Sequence, residues 1–154
     1  MSSQGPLNPN ASLSDGSGTY SPTYGVWTNT SGAHTAGGDK ATATMDLGGG
    51  LTRLTDRLQV YSFGFTIPST AIILGITVDI DRGWSSAAYE DHVMYDNEVS
   101  LLRAGSVYGS NEKKTDQWLS AESYYTYGAS NYLWGGEWLP SDINNSGFGV
   151  SLRL

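Results

Sequence analysis

The chain has 154 residues, a length that suits one domain with its own buried core. Only 15% of the residues are charged and 38% are hydrophobic, and 20 glycines accompany them, which is typical of short strands separated by turns. The net charge of −7 opposes binding to nucleic-acid phosphates, and the lack of cysteine excludes a disulfide framework and a thiolate metal site.

The first 25 residues consist mostly of Ser, Gly, Asn, Pro, Thr and Tyr and show no apolar periodicity. Such a composition buries too little surface to order itself. We therefore predict an extended N-terminal arm over residues 1–30, followed by one domain over residues 31–154. Two interpretations of the arm remain open: it lies along a neighbouring subunit, or it is a disordered tail.

From residue 40 onward, apolar and polar residues alternate as they do in strands. Strands are predicted over 41–47, 58–67, 74–81, 97–104, 107–108, 124–127 and 148–154. In the strand 74–81, Leu74, Ile76, Val78 and Ile80 share one face and the two aspartates lie on the other. In the last strand, Gly149, Ser151 and Arg153 are predicted to face outward.

The connections of these strands are short. Gly105-Ser106 reads as a tight hairpin turn, and a single helical turn over 141–145 is predicted to begin with Ser141 as its cap, after Pro140. The longest apolar stretch, 71–76, is far shorter than the roughly 20 residues that cross a bilayer, so no membrane is expected as a partner. The fold predicted is all-β, an antiparallel, jelly-roll-like β-sandwich with an extended N-terminal arm.

Residues that could carry chemistry do not form a recognisable motif. His34 and His92 lie in polar stretches without a partner motif, and no Gly-x-Ser-x-Gly sequence is present. Six acidic residues are close in sequence and raise two alternatives, a Ca²⁺ site and the carboxylate pair of a glycosidase. They are Asp79, Asp81, Glu90, Asp91, Asp96 and Glu98. Their spacing fits no Ca²⁺ loop, so no catalytic residue, metal or cofactor is predicted, although a cation in the 79–98 cluster stays an open question.

Aromatic residues are crowded between Trp118 and Trp138. Exposed, they would stack on sugar rings; folded inward by the turns at Gly128, Gly135 and Gly136, they would fill the end of the sandwich and line a subunit contact. The second interpretation is favoured. The predicted interface residues are Tyr20, Tyr24, Trp27, Trp118, Tyr132, Trp134 and Trp138.

Residues 56–154 contain six short motifs in a fixed order. They are Phe63-Gly64-Phe65-Thr66-Ile67-Pro68, Ile73-Leu74-Gly75-Ile76-Thr77-Val78-Asp79-Ile80, Val99-Ser100-Leu101-Leu102-Arg103-Ala104-Gly105, Tyr127-Gly128 through Trp134-Gly135, Trp138-Leu139-Pro140-Ser141-Asp142-Ile143-Asn144 and Phe148-Gly149-Val150. In this order they resemble a group of small β-rich proteins and domains encoded among bacteriophage structural genes. The resemblance covers about two-thirds of the chain.

The resemblance implies a virion protein, and for a free-standing chain of this size a capsid decoration (cement) protein. Such proteins bind the outer capsid surface as homotrimers at threefold and quasi-threefold positions, where they clamp the major capsid protein; assembly would take place in the bacterial host cytoplasm. The same domain type occurs on tail and fibre proteins, so the alternative is a carbohydrate- or receptor-binding module. Neither implies an enzyme or a cofactor.

Overall fold

The computed structural model describes residues 3–19, 23–35, 37–46, 52–85 and 93–154. These residues are predominantly β, as the sequence predicted. The strands are β1 Ala11–Ser14, β2 Trp27–Thr28, β3 Thr42–Ala43, β4 Leu58–Tyr61, β5 Ile76–Arg82, β6 Glu98–Arg103, β7 Ser106–Tyr108, β8 Ser123–Ala129 and β9 Gly149–Arg153. A 3-10 helix spans Thr30–His34 and the short helix α1 spans Pro140–Ile143. None of the described helices is long and apolar enough to cross a membrane.

The largest sheet has five antiparallel strands in the order β1-β4-β9-β6-β7. In its register Leu58 lies opposite Leu152, which lies opposite Val99, so alternate positions of three strands form one apolar face. The outward positions predicted for Gly149 and Ser151 are wrong, since both residues are buried, whereas Arg153 is partly exposed. The reason is that β9 is the central strand of the sheet, and the Ser151 hydroxyl lies against Glu98, whose carboxylate pairs with Arg57.

Two smaller antiparallel sheets complete the fold, β2–β3 and β5–β8. The β5–β8 ladder runs from Ile76 opposite Ala129 to Arg82 opposite Ser123. From Ile76 to Asp81 the residues of β5 alternate between half-buried and exposed, and the prediction that Asp79 and Asp81 face solvent is confirmed. The prediction for Leu74 is wrong: the ladder begins only at Ile76, and the Leu74 side chain is 48% exposed.

The predicted strand 58–67 ends early, at Tyr61, because Ser62 adopts a positive φ of 64° that interrupts the ladder. Phe63 and Phe65 nevertheless share one face as expected, and both pack against Phe148 with ring centroids 6.1 and 5.9 Å away. The rings therefore close one end of the core without a ladder.

The hairpin turn and the helix each begin one residue earlier than predicted. The hairpin turn consists of Ala104 and Gly105, with φ of 50° and 81°, because a two-residue turn that matches strand twist needs positive φ at both positions. The helix α1 begins at Pro140, so Ser141 is not its cap. Instead the Asp142 carboxylate accepts a hydrogen bond from the Leu139 N–H at 2.9 Å.

The N-terminal segment contains two strands that the sequence did not predict. β1 pairs with β4 at the edge of the large sheet, and β2 pairs with β3. The prediction that strands begin only at residue 40 is therefore wrong. This part of the predicted arm pairs with strands of the same chain. The division of the chain at residue 30 stays a prediction.

Candidate functional site

Most of the predicted interface residues lie in the core. Trp27, Trp118, Trp134 and Trp138 are between 0% and 7% exposed. Each indole N–H donates within the chain, to acceptors on Asp56, Asp96, Ile76 and Leu133 respectively. In this conformation these four rings give the chain its own packing and offer no surface to a partner.

The three predicted interface tyrosines differ from the tryptophans. Tyr24 is half-buried, and Tyr20 lies outside the described residues. Tyr132 is 37% exposed, and its hydroxyl donates to the Glu112 carboxylate at 2.6 Å. The six described members of this set therefore do not come together as one exposed contact patch.

Asp96, from the acidic cluster, is buried at the centre of a hydrogen-bond network. One carboxylate oxygen accepts from the Trp118 indole at 2.7 Å and from Arg82, while the other accepts from the Tyr127 hydroxyl at 2.8 Å and the Lys114 N–H at 3.0 Å. Both charged side chains of the Arg82–Asp96 pair are fully buried. Asp96 thus accepts from four donors and links the segments that carry them within the core.

Aromatic rings enclose the charged network. The Arg82 guanidinium carbon lies 3.8 Å from the centroid of the Tyr125 ring, a distance that permits cation–π attraction. Burial, followed by the charge and hydrogen bond of Asp96, raises the pKa of the Tyr127 hydroxyl above its ordinary value. The hydroxyl thus stays protonated and keeps donating to Asp96 in neutral solution.

The remaining acidic residues and histidines are dispersed. Asp79 and Asp81 face solvent, and Glu98 pairs with Arg57 at 3.0 Å. His34 is hydrogen-bonded to Ser12 at 2.9 Å, while Glu90, Asp91 and His92 lie outside the described residues. Within residues 3–19, 23–35, 37–46, 52–85 and 93–154, no group of three or more His, Asp and Glu is placed to hold a metal ion.

One exposed surface combines acidic and aromatic side chains. It is the outer face of the β5–β8 sheet, which we call the acidic face. It consists of Thr77, Asp79, Asp81, Tyr124 and Thr126. Tyr124 lies directly across from Asp81 and is 62% exposed, and the Thr126 hydroxyl donates to Asp79. Tyrosine is one of the residue types that most often dominate the binding energy of protein interfaces.

A second exposed surface is apolar. The described residues line a cleft of about 2140 Å³ between β5 and the large sheet, with Ile76 and Val78 on one side and Val150 on the other. Leu7, Ile72 and Leu74 also line this cleft, and all three are substantially exposed, Ile72 to 83%. We call these three residues the neutral face.

Parts of these surfaces could be predicted from the sequence. The alternation of apolar and polar residues placed Asp79 and Asp81 on the solvent side of their strand, so this part of the acidic face could be predicted. The neutral face was missed because the alternation was extended to Leu74, two residues before the ladder starts. Arg82 was missed too, although its parity with Ile80 places it on the inner side.

Comparison of the chain with models of protein families, with curated proteins and with solved structures finds no match.

Proposed function

We propose that this chain is a binding protein of the bacteriophage virion, namely a capsid decoration (cement) protein that attaches to the outer shell as a homotrimer and stabilises the head. The observation that carries the proposal is the exposed Tyr124 ring on the acidic face. Tyrosine supplies large contact area at small entropic cost and is enriched among residues that dominate protein interfaces.

A jelly-roll-like sandwich is proposed as the architecture. Its support is that the large sheet and the β5–β8 sheet contribute to one core cluster, Val99 and Leu152 from the former and Tyr127 from the latter. Packing two sheets over one core leaves an outer face on each. In the β5–β8 sheet that outer face is the acidic face, so the fold presents Tyr124 on a supported surface.

The acidic face defines the chemistry of the partner. Asp79 and Asp81 are exposed and contribute to the chain's net charge of −7, so the complementary patch on the major capsid protein would be basic. Long-range attraction would speed the encounter, and burial of Tyr124 would hold the complex. A protein that binds only the assembled shell stabilises it by mass action.

The test is co-sedimentation of the purified chain with shells that lack it. Tyr124→Ala should weaken binding at least about tenfold, the effect of losing an interface anchor, and Asp81→Asn should reduce its salt dependence. Tyr95→Ala is the matched control, since Tyr95 is 41% exposed but lies outside the acidic face. Equal effects of the two tyrosine substitutions, or no binding to shells, would refute the proposal.

A carbohydrate- or receptor-binding module of a tail or fibre is the second candidate. Its support is the same Tyr124 ring, on which a sugar could stack while Asp81 accepts hydrogen bonds from its hydroxyls. The burial of four of the five tryptophans counts against it, since these are the rings that sugar platforms use. Saturable binding of a polysaccharide that Tyr124→Ala abolishes would favour this candidate over the first.

A further inference from the structure

We infer that the cleft beside β5 binds an extended basic segment of another protein, which lies along the edge of β5 as an added strand. The inference deepens the proposed function by naming the chemistry of the partner's segment, and in that respect it rests on the proposed function. Three observations support it: two strand edges that border the cleft, the order of side chains along them, and the charge of the cleft.

The cleft follows strand edges rather than one face of a sheet. In the described part of the chain, β5 pairs with β8 alone and β3 pairs with β2 alone. Every residue of β5 lines the cleft, although successive side chains of a strand point to opposite faces. The unbroken run 37–46, which contains β3, lines it as well. The cleft therefore leaves one edge of β5 accessible to a further strand, the mode of peptide binding called β-augmentation.

The walls of the cleft have two levels. Along β5 the half-buried residues Ile76, Val78 and Ile80 pack against the core, and exposed polar residues lie between them. Residues 41–46 repeat this order, with half-buried Ala or Met at the odd positions and exposed Thr or Asp at the even positions. An added strand would meet both levels, so its residues should alternate between apolar and polar. The volume of about 2140 Å³ exceeds the roughly 300–1,000 Å³ of small-molecule pockets, which also favours a peptide.

Charge identifies the polar residues of the added strand. Among the described residues that line the cleft, five are acidic and two are basic. The acidic ones are Asp39, Asp46, Asp79, Asp81 and Glu122. Both basic residues are already paired, Lys40 with Glu122 and Arg82 with Asp96. The exposed Asp79 and Asp81 therefore make the outer level of the β5 wall negative, and Lys or Arg side chains of an added strand would face them.

A second copy of this chain does not supply such a segment. Its eight Lys and Arg residues include no two that are two positions apart, the spacing that places both on one side of a strand. Pairing of two β5 edges would bring Asp79 and Asp81 of both copies together, and like charges that face each other across strands are destabilising. Charged residues on an edge strand oppose self-association in this way, whereas a basic strand is attracted.

The test is fluorescence anisotropy of a labelled peptide in which valine and lysine alternate over seven residues, the length of β5. It should bind the full chain saturably, and a peptide of the same composition with consecutive lysines should bind at least about tenfold more weakly. The combined Asp79→Asn and Asp81→Asn substitutions should weaken binding about five- to tenfold and reduce its salt dependence. Asp116→Asn, at an exposed position outside the cleft, is the matched control. Unchanged circular dichroism and Tm would show that the variants are folded.

Backbone pairing is tested with two further peptides, methylated either on every valine nitrogen or on every lysine nitrogen, since each blocks a different edge of the peptide. At least one of them should lose binding. With the unmethylated peptide, amide exchange should slow within β5 but not within β7, an edge strand of the large sheet. Binding that survives both methylations, or that Asp116→Asn weakens as much as the double substitution does, would overturn the inference.

The remaining outcomes separate the inference from the proposed function. Shells that bind the chain while the alternating peptide does not would overturn the inference and leave the proposed function standing. A peptide that binds along β5 while no shell does would support the inference and refute the proposed function. Self-association of the chain that blocks peptide binding would assign the cleft to a second copy and would also overturn the inference.

Discussion

Asp56 accepts a hydrogen bond from the Ser14 hydroxyl at 2.7 Å, and this contact joins the N-terminal strand β1 to the residues just before β4. The same Ser14 oxygen accepts from the Trp27 N–H at 3.0 Å, and the other Asp56 oxygen accepts from the Gly18 N–H at 2.7 Å. One buried carboxylate thus organises three parts of the segment that composition alone describes as an arm.

We predict that Asp56→Ala lowers the free energy of unfolding by about 3 kcal/mol. The carboxylate is buried, and its removal leaves the Ser14 hydroxyl and the Gly18 N–H without their acceptor; such losses cost about 1–3 kcal/mol for each buried group. Urea unfolding measures the change, and Asp39→Ala, at an exposed position, is the control. A difference below 0.5 kcal/mol, on the order of ordinary surface substitutions, would contradict this account.

The buried Arg82–Asp96 pair leads to a second prediction. Arg82→Met should cost about 3–5 kcal/mol, because it leaves the Asp96 charge buried without its counter-ion. Arg103→Met is the matched control: Arg103 pairs with Asp142 at 3.0 Å but is 37% exposed, and such surface pairs contribute about 0–1 kcal/mol. Denaturant unfolding of both variants provides the comparison, and similar costs would show that the buried pair is dispensable.

The Arg82–Asp96 pair also shows how much of the core can be predicted from the sequence. Alternation along β5 identified the solvent position of Asp81, and one more step would have placed Arg82 inside. Its partner could not be predicted, since Asp96 lies 14 residues away and meets Arg82 only through tertiary packing. A run of acidic residues carries no mark of which member is buried.

The N-terminal strand β1 could not be predicted from the sequence for a different reason. In β1 the residues that alternate are Ala11 and Leu13 with two serines, a contrast too weak to distinguish a strand from a linker. Its stability comes from pairing with β4 and from the Ser14–Asp56 contact, neither of which is local. Ile72 was similarly ambiguous, because an apolar run predicts burial whether or not the chain turns it outward.

Asp15 should make folding sensitive to acid. Burial alone would raise its pKa, but hydrogen bonds from Ser17 and Arg57 outweigh burial and lower the pKa below its usual value. A carboxyl with a lowered folded-state pKa stabilises the protein above its unfolded pKa of about 3.9, and this stability is lost as the pH falls through the folded value.

Asp15→Asn should therefore be less stable than the wild-type chain at neutral pH, and the gap should close as the pH falls below about 4. Unfolding by urea over a pH series measures both curves. Asp116→Asn, at an exposed position, is the control and should run parallel to the wild type. A gap for Asp15→Asn that stays constant into acid would show that the hydrogen bonds do not depend on the charge.

The last prediction concerns Gly128, on which the meeting of β5, β8 and Trp134 depends. Its φ is 74°, and a Cβ there would lie 2.3 Å from the Ile76 carbonyl oxygen and 2.5 Å from the Trp134 indole nitrogen. Those two atoms are hydrogen-bonded to each other at 2.8 Å, so a methyl group would have to separate them. Gly105 is the matched control, with φ of 81° and open space around its Cβ position.

Gly105→Ala should cost only the backbone strain of a positive φ, about 1 kcal/mol, whereas Gly128→Ala adds the clash and a broken hydrogen bond, for a total of about 3 kcal/mol or more. Thermal unfolding ranks the two variants. The combined emission of the five tryptophans should shift to longer wavelength only in Gly128→Ala, because the buried Trp134 indole is displaced. Equal costs without a fluorescence change would mean that β8 moves away from Trp134 freely, and the packing assigned to this junction would then be incorrect.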